Sequence, residues 1–145
     1  MKLEHVLQNK GSEVETIAPD ATVTELVAKL AEFNIGALVV SEDGRSVAGI
    51  VSERDVVRHL AANGGEAMGQ PISTIMTATV TCAPPTATTA DLMSLMTDSR
   101  VRHIPVLDED ERMLGIVSIG DVVKSRLGEL EDERNALVEY VNVGR

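Results

Sequence analysis

Aromatic residues are almost absent from this 145-residue chain, which has one Phe, one Tyr and no Trp. Proteins that hold single-stranded nucleic acid stack its bases on aromatic side chains, so this scarcity argues against such a partner. The chain also lacks a run of Lys or Arg, and its formal net charge is −10, so no basic face is expected for nucleic acid. Because 43% of the residues are hydrophobic, the chain can still build an aliphatic core.

Several other features that would define a class of protein are missing. Cys82 is the only cysteine, which excludes an intramolecular disulfide and a cysteine metal cluster. The three histidines share no ligand spacing, and no P-loop, H-E-x-x-H or G-x-S-x-G motif occurs, so we expect neither a metal site nor a catalytic site. There is no signal-peptide region and no apolar run of about 18 residues, which predicts a cytoplasmic protein with no membrane partner.

What the sequence does contain is an internal repeat. Residues 49–58 and 115–124 are identical at seven of ten positions, including Gly, Ser and Asp. The same offset of 66 pairs Thr22–Glu25 with Thr88–Asp91. Val6-Leu7 and Ile75-Met76 match at a slightly different spacing. An ordered match along the whole unit indicates a duplication.

Each copy has the pattern β-α-β-β-α. Thr16–Ala18 and Val80–Ala83 predict the first strands, and Thr22 and Thr88 predict helix caps with an acidic residue three positions later. The apolar stripes of these two helices are Leu26, Leu30 and Phe33, and Leu92, Leu95 and Met96. Residues 37–41 and 103–107 predict buried strands. We therefore predict an α+β fold, with repeats at 1–62 and 72–127, a linker at 63–71 and a helical tail at 128–145. Since a unit of about 60 residues is marginal alone, the repeats should pack together with approximate twofold symmetry.

The Ser-x-x-Asp sequence that follows the last strand of each repeat admits two interpretations. Ser52 or Ser118 can cap a helix, with Asp55 or Asp121 returning a hydrogen bond to it. Alternatively, the free N–H groups of the helix and the Ser hydroxyl can bind a phosphate, while the carboxylate accepts two vicinal hydroxyls of a ribose. On the second interpretation, Gly49 or Gly115 leaves room for a close approach.

The tail predicts a helix that extends past the second repeat, from about Asp121 to Asn142. Its apolar stripe is formed by Val123, Leu127, Leu130, Leu137 and Val141. This stripe could pack within the chain or pair with the same helix of a second copy.

The paired motifs Gly49-Ile-Val-Ser52-x-x-Asp55 and Gly115-Ile116-Val-Ser118-x-x-Asp121, together with residues 72–77 and 98–108, resemble the tandem cystathionine-β-synthase (CBS) domain pair, or Bateman module. The amino-acid sequences of these segments are most similar to those of small stand-alone bacterial members of the family. The resemblance implies an adenosyl ligand. AMP, ADP and ATP are most common in the family, NAD or S-adenosylmethionine occurs in some members, and Mg²⁺ is expected only with ATP. It also implies a homodimer.

The resemblance further implies two composite pockets, in which the Asp holds the ribose hydroxyls and the Ser holds the phosphate. One would join Ser118 and Asp121 to Thr16, Ile17, Ile35, Gly36 and Ala37. The other would join Ser52 and Asp55 to Thr81, Cys82, Val101, Arg102 and His103. Arg54 and Ile116 complete the expected set. Arg54, Arg102 and His103 could gather where phosphates lie. The alternatives are surface ion pairs for the arginines, a packed strand residue for His103 and packing at a strand end for Cys82.

Two functions follow. The first is a regulatory module that senses adenine nucleotides and acts through dimer geometry or on a regulated protein that the sequence does not identify. The second is a constitutive interaction protein, in which Ser-x-x-Asp only caps helices and the tail is the working surface. A nucleotide-hydrolysing enzyme is the least favoured alternative, because no nucleophile or metal cluster accompanies the carboxylates.

Overall fold

The computed structural model describes residues 1–11 and 14–144. The helices are α1 (Leu3–Lys10), α2 (Val23–Phe33), α3 (Glu53–Asn63), α4 (Thr89–Ser99) and α5 (Ile119–Val143). The strands are β1 (Thr16–Ile17), β2 (Ala37–Val40), β3 (Gly49–Ser52), β4 (His103–Leu107) and β5 (Met113–Ser118). Two short 3₁₀ helices, Gly64–Gly69 and Ile72–Thr74, connect the halves. The predicted α+β fold and the helical extension are confirmed.

In the first repeat, β2 lies between β1 and β3, parallel to β1 and antiparallel to β3. Helix α2 begins as predicted, because the Thr22 hydroxyl accepts a hydrogen bond from the Glu25 N–H at 3.2 Å. Leu26 and Leu30 are buried, but Phe33 is 39% exposed, so its expected place on the buried stripe is wrong. Phe33 is the last helical residue, and the left-handed Asn34 that follows ends α2 at the edge of the core.

The second repeat pairs β4 with β5 but lacks a first strand, contrary to the expectation for Val80–Ala83. Only one bridge forms, in which Ala83 donates to the Pro105 carbonyl and accepts from the Leu107 N–H. A second bridge would need a donor at position 105, and proline has no N–H. The corresponding residue of the first repeat is Val39, which has an N–H, and there β1 pairs with β2 at both Thr16 and Ile17.

The segment that begins each repeat packs in the hydrophobic core of the other repeat. Helix α1 places Leu3, Val6 and Leu7 in the core of the second repeat, together with Leu92 and Val117. Ile72 of the connecting segment lies in the core of the first repeat. Matching backbone hydrogen bonds fix both segments: the Leu3 N–H donates to the Ala87 carbonyl at 2.9 Å, and the Ile72 N–H donates to the Ala21 carbonyl at 2.8 Å.

Gly49 and Gly115 are the points where these exchanged segments cross the sheets. A Cβ on Gly115 would lie 2.5 Å from Leu7 Cδ2, and a Cβ on Gly49 would lie 2.7 Å from Met76 Sδ and 2.9 Å from the Thr77 carbonyl oxygen. A close approach at both glycines is therefore confirmed. The approaching atoms belong to segments of the protein itself, so the two glycines do not favour the ligand-binding interpretation over the capping one.

Helix α5 extends beyond the second repeat with its apolar stripe uncovered. Only Val122 of this helix is buried, whereas Leu127, Leu137 and Val141 are 61%, 66% and 54% exposed. Packing of the stripe within the chain is therefore excluded. The helix starts two residues before the expected Asp121, because Ser118 supplies the cap.

Candidate functional site

A cleft of about 270 Å³ at the junction of the repeats collects residues from both. The first repeat contributes Gly36, Ala37, Ser52, Glu53, Arg54, Asp55 and Arg58, and the second contributes Arg100, Val101, Arg102 and His103. The strand-to-helix turn of the first repeat and the α4–β4 connection of the second line the same cleft. Within each repeat, a corresponding backbone hydrogen bond holds the helix-to-strand connection to the turn: the Glu53 N–H donates to the Gly36 carbonyl, and the Ile119 N–H donates to the Arg102 carbonyl.

The Ser52 turn forms a complete capping box. Asp55 Oδ2 accepts from the Ser52 N–H at 2.8 Å and from the Ser52 hydroxyl at 3.1 Å, and the Asp55 N–H is bonded to that hydroxyl at 3.3 Å. The capping interpretation is therefore confirmed. The capping box does not use all the hydrogen-bond acceptor positions of Asp55, because a carboxylate offers about four of them. Among the described residues, no hydrogen bond reaches Asp55 Oδ1.

The Ser118 turn has the same capping box but a different neighbour. Asp121 Oδ2 accepts from the Ser118 N–H and hydroxyl, each at 2.9 Å, and also from Lys10 Nζ at 2.6 Å. Lys10 donates as well to the Ile116 carbonyl at 2.8 Å. Burial would raise the pKa of Asp121, but the hydrogen bonds from Lys10 and Ser118 outweigh it and hold that pKa below its ordinary value. Helix α1 thus supplies a cation at the second turn, while Asp55 has no ion pair among the described residues.

Four arginines line the cleft, two from each repeat. Arg54 and Arg58 lie four residues apart on α3, so they share one helix face, while Arg100 and Arg102 lie in the connection between α4 and β4. In the part of the chain that the structure describes, no carboxylate lies within 4.0 Å of any of the four. The alternative of surface ion pairs for Arg54 and Arg102 is therefore not realised in this structure.

His103 occupies the wall between the two turns. It is partly buried and pairs in the β4–β5 ladder with Ser118. Burial lowers the pKa of His103, the nearby Lys10 cation lowers it further, and Asp121 opposes them only in part. The imidazole is therefore neutral near pH 7, and it is both a strand residue and a lining residue of the cleft.

The other residues predicted for the two pockets do not lie where the resemblance implied. Thr81 and Cys82 do not line this cleft. Cys82 lies in a separate pocket with Leu107 and Glu111, and burial together with the Glu111 charge raises the pKa of its thiol. Ile17 is buried in the first core, and Thr16 accepts from Lys29 through its backbone carbonyl. Gly36 and Ala37, expected beside Asp121, line the Ser52 cleft instead.

Asp121 itself faces a cavity of about 310 Å³ between α1 and α5, which Lys10 and Lys124 also line. Ile35 is 37% exposed and lines neither this cavity nor the Ser52 cleft.

Sequence reasoning missed Arg58 and Arg100 as lining residues. Arg58 carried a usable signal, since it follows Arg54 by one helical turn. Arg100 carried a weaker one: it corresponds to Asn34, and both residues end a helix in the left-handed conformation, with φ of 54° and 52°. Ile50 and Thr77 line the cleft through a backbone bridge between distant segments, which no local pattern indicates.

Two further properties of the described residues bear on the kind of site. Within residues 1–11 and 14–144, no three His, Cys, Asp or Glu side chains are grouped so that they could hold a metal ion. None of the described helices combines the length and apolar character that a membrane crossing requires.

Comparison with known families decides the relationship. The CBS-domain family model matches residues 10–62 and 72–128, one match in each repeat. The chain belongs to the CBS-domain family. Among curated CBS proteins, a mitochondrial CBS domain-containing protein of Arabidopsis thaliana, CBSX3, is 36% identical over 98% of this chain and 72% of its own length. The crystal structure of a CBS-domain protein from Agrobacterium tumefaciens has 40% identity and a TM-score of 0.83, covering 87% of this chain and 99% of the other.

More distant CBS structures contain ligands. A Pyrobaculum aerophilum CBS protein complexed with AMP has 24% identity and a TM-score of 0.73, over 83% of this chain and 89% of the other. A CBS-domain pair complexed with 5′-methylthioadenosine and S-adenosylmethionine has 24% identity and a TM-score of 0.75, over 88% and 98%. At this identity the likeness shows a shared fold.

Proposed function

We propose that this CBS pair is a regulatory protein that binds an adenine nucleotide in the cleft at Ser52 and Asp55. The observation that carries the proposal is the hydrogen bonding of Asp55: Oδ2 holds the capping box, Oδ1 accepts no hydrogen bond among the described residues, and Asp55 lines a cleft formed by both repeats. The complexes of distant CBS pairs with AMP and with S-adenosylmethionine support an adenosyl ligand in general.

In this proposal each group has a distinct role. Asp55 Oδ1 accepts hydrogen bonds from the two ribose hydroxyls, and the capping box keeps the carboxylate in place before the ligand arrives. The N-terminus of α3 and the arginines of the cleft bind phosphate. Mg²⁺ is expected only as a companion of ATP, held by the nucleotide's own phosphates.

Isothermal titration with AMP, ADP, ATP, NAD and S-adenosylmethionine tests the proposal. Asp55→Asn keeps an oxygen that can accept the capping bond but removes the charge that binds two hydroxyls, so the affinity should fall about 10- to 100-fold. The matched control is Asp91→Asn. Asp91 forms the same capping box with Thr88 at the start of α4, away from the cleft, so its loss should leave the affinity within about twofold.

The outcomes separate the candidate functions. If none of the five ligands binds, or if Asp55→Asn binds as tightly as the wild type, the proposal is wrong and the interaction protein becomes the better hypothesis. Asp121→Asn reports on the second predicted pocket. Conversion of any nucleotide to product above a protein-free control would contradict a purely regulatory function.

We further propose that two copies pair through the helical face. Corresponding residues of the two repeats leave apolar side chains exposed there, namely Val57 and Val123 on α3 and α5, and Val27 and Met93 on α2 and α4. Helix α5 adds a stripe that continues beyond the repeat on a helix about 37 Å long. A second copy offers the same self-complementary face, which is the requirement for a twofold interface.

The test of pairing is the molar mass in solution, measured by light scattering over a range of protein concentrations. The wild type should be a dimer, and Val57→Glu/Leu127→Glu should be a folded monomer. A monomeric wild type at about 50 µM would refute pairing through this face. A ligand can change the geometry of such a dimer only if it binds the two arrangements with different affinity, so small-angle scattering with and without nucleotide tests the regulatory step.

A further inference from the structure

We infer that the cleft selects adenine nucleotides that carry at least two linked phosphates, over AMP and over the cationic S-adenosylmethionine. This inference rests on the proposed function, since it assumes that the nucleotide binds at Asp55. The shared chemistry is a diphosphate group. It can come from ADP or ATP, or from a dinucleotide such as NAD.

The first argument is the concentration of positive charge. Four of the chain's 13 Lys and Arg residues line one cleft of a protein whose net charge is −10. They face two carboxylates, Glu53 and Asp55, which leaves a formal excess of two positive charges. Since none of the four forms an ion pair among the described residues, their donors are available to a ligand. A cationic ligand would meet repulsion here.

The second argument is the arrangement of the guanidinium groups. Each can bind one phosphate through two parallel hydrogen bonds. One pair is anchored on α3 and the other pair on the α4–β4 connection of the opposite repeat, so the four groups are attached to two separate walls of the cleft. A single phosphate has three terminal oxygens and cannot satisfy four such forks from two sides. Two or three linked phosphates can.

The third argument is the backbone at Arg100. Its φ of 54° and ψ of 39° place it in the left-handed region, which costs an arginine more than it costs Asn34, its counterpart in the first repeat. Since both repeats need this conformation to end a helix, what favours a binding role is the use of an arginine, rather than an asparagine, at the copy that lines the cleft.

Comparison of the repeats supplies well-matched variants. Arg100 and Arg102 correspond to Asn34 and Gly36. The double variant Arg100→Asn/Arg102→Gly therefore inserts residues that the same fold already accommodates at equivalent positions. The control, Arg45→Gln/Arg134→Gln, removes two positive charges at exposed positions that do not line the cleft.

The experiment is titration calorimetry at fixed ionic strength with adenosine, AMP, ADP, ATP, NAD and S-adenosylmethionine, with Mg²⁺ and with EDTA. For the wild type, at least one diphosphate ligand should bind 10-fold or more tightly than AMP and S-adenosylmethionine. The double variant should lose most of this ratio while its affinity for AMP changes less than about threefold, and the control should keep the ratio. Comparison of ADP with NAD identifies the source of the diphosphate.

The failures are distinguishable. If AMP binds as tightly as ADP, ATP and NAD, the selectivity inference is wrong, but the proposed function stands. If the ratio is high and the double variant leaves it unchanged, the arginines are not its cause and the inference is overturned. If no adenine ligand binds, the proposed function itself is wrong.

Discussion

The contact between Leu7 and Gly115 allows a quantitative test of the exchanged cores. Gly115 is buried and its φ lies outside the left-handed region, so alanine can adopt the backbone conformation without strain. The obstacle is the Leu7 side chain, whose three nearest atoms would lie 2.5, 3.3 and 3.5 Å from the new Cβ. Overpacking of this kind costs about 1–2 kcal/mol, so Gly115→Ala alone should lower the free energy of unfolding by that amount.

The same substitution should behave differently when Leu7 is shortened. Leu7→Ala alone removes a buried side chain from the second core and should cost about 2–4 kcal/mol. In that background the new methyl group meets no obstacle, and replacing glycine restricts the unfolded chain, so Gly115→Ala should be neutral or stabilising by about 0.5 kcal/mol. The predicted coupling energy is therefore about 1–2.5 kcal/mol.

Urea unfolding of the four proteins at one concentration measures this coupling, provided that the transition has one step and a constant slope. Additive effects of Leu7→Ala and Gly115→Ala would refute the placement of α1 over Gly115. Gly49→Ala should cost more than Gly115→Ala, because the added Cβ also meets the Thr77 carbonyl oxygen, which a bridge to Ile50 fixes in place. Met76→Ala should therefore rescue Gly49→Ala only in part.

Three other predictions follow from the site. Lys10→Met should lower stability at pH 7 by about 0.5–1 kcal/mol, since the pair with Asp121 is partly exposed. Because the folded pKa of Asp121 is depressed, that difference in urea stability should disappear as the pH falls through it. Arg100→Asn should raise the melting temperature, with a gain of about 0.5–1 kcal/mol, because asparagine tolerates the left-handed conformation better; an unchanged or lower value would contradict this. The pKa of His103 should lie below 6.5 in an NMR titration, so stability present above pH 6.5 should decline as the pH falls below it, and His103→Ala should reduce that slope.

The local features of the fold could be predicted because they depend on neighbouring residues. The capping boxes at Ser52, Thr88 and Ser118 involve partners three positions apart, and strand β4 has the predicted bounds. The prediction of a first strand in the second repeat failed because Pro105, in the strand it would pair with, has no N–H. That failure concerns the partner strand, so inspection of residues 80–83 alone could not reveal it.

The site was harder to predict because its contacts join distant segments. Lys10 and Asp121 are 111 positions apart, and no periodicity connects them. The match of Val6-Leu7 with Ile75-Met76 did contain information on the exchange of cores, since equivalent segments occupy equivalent places. It could not indicate which repeat each segment covers, because that choice depends on how the chain crosses between the two sheets.

Positions at which the two repeats have the same residue lie in different parts of the structure from positions at which their residues differ. This separation bears on function. The shared Gly, Ser, Asp and Val residues build the crossing points, the capping boxes and the cores. Four of the pairs that differ are Asn34/Arg100, Gly36/Arg102, Ala37/His103 and Arg54/Gly120, and at least one member of each pair lines the Ser52 cleft. A duplicated scaffold starts with two equivalent turns. Arginine on both sides of one turn, and a lysine from α1 at the other, make the two turns chemically unequal without altering the backbone that both require. The substitutions that exchange residues between the repeats should therefore change ligand preference more than they change folding.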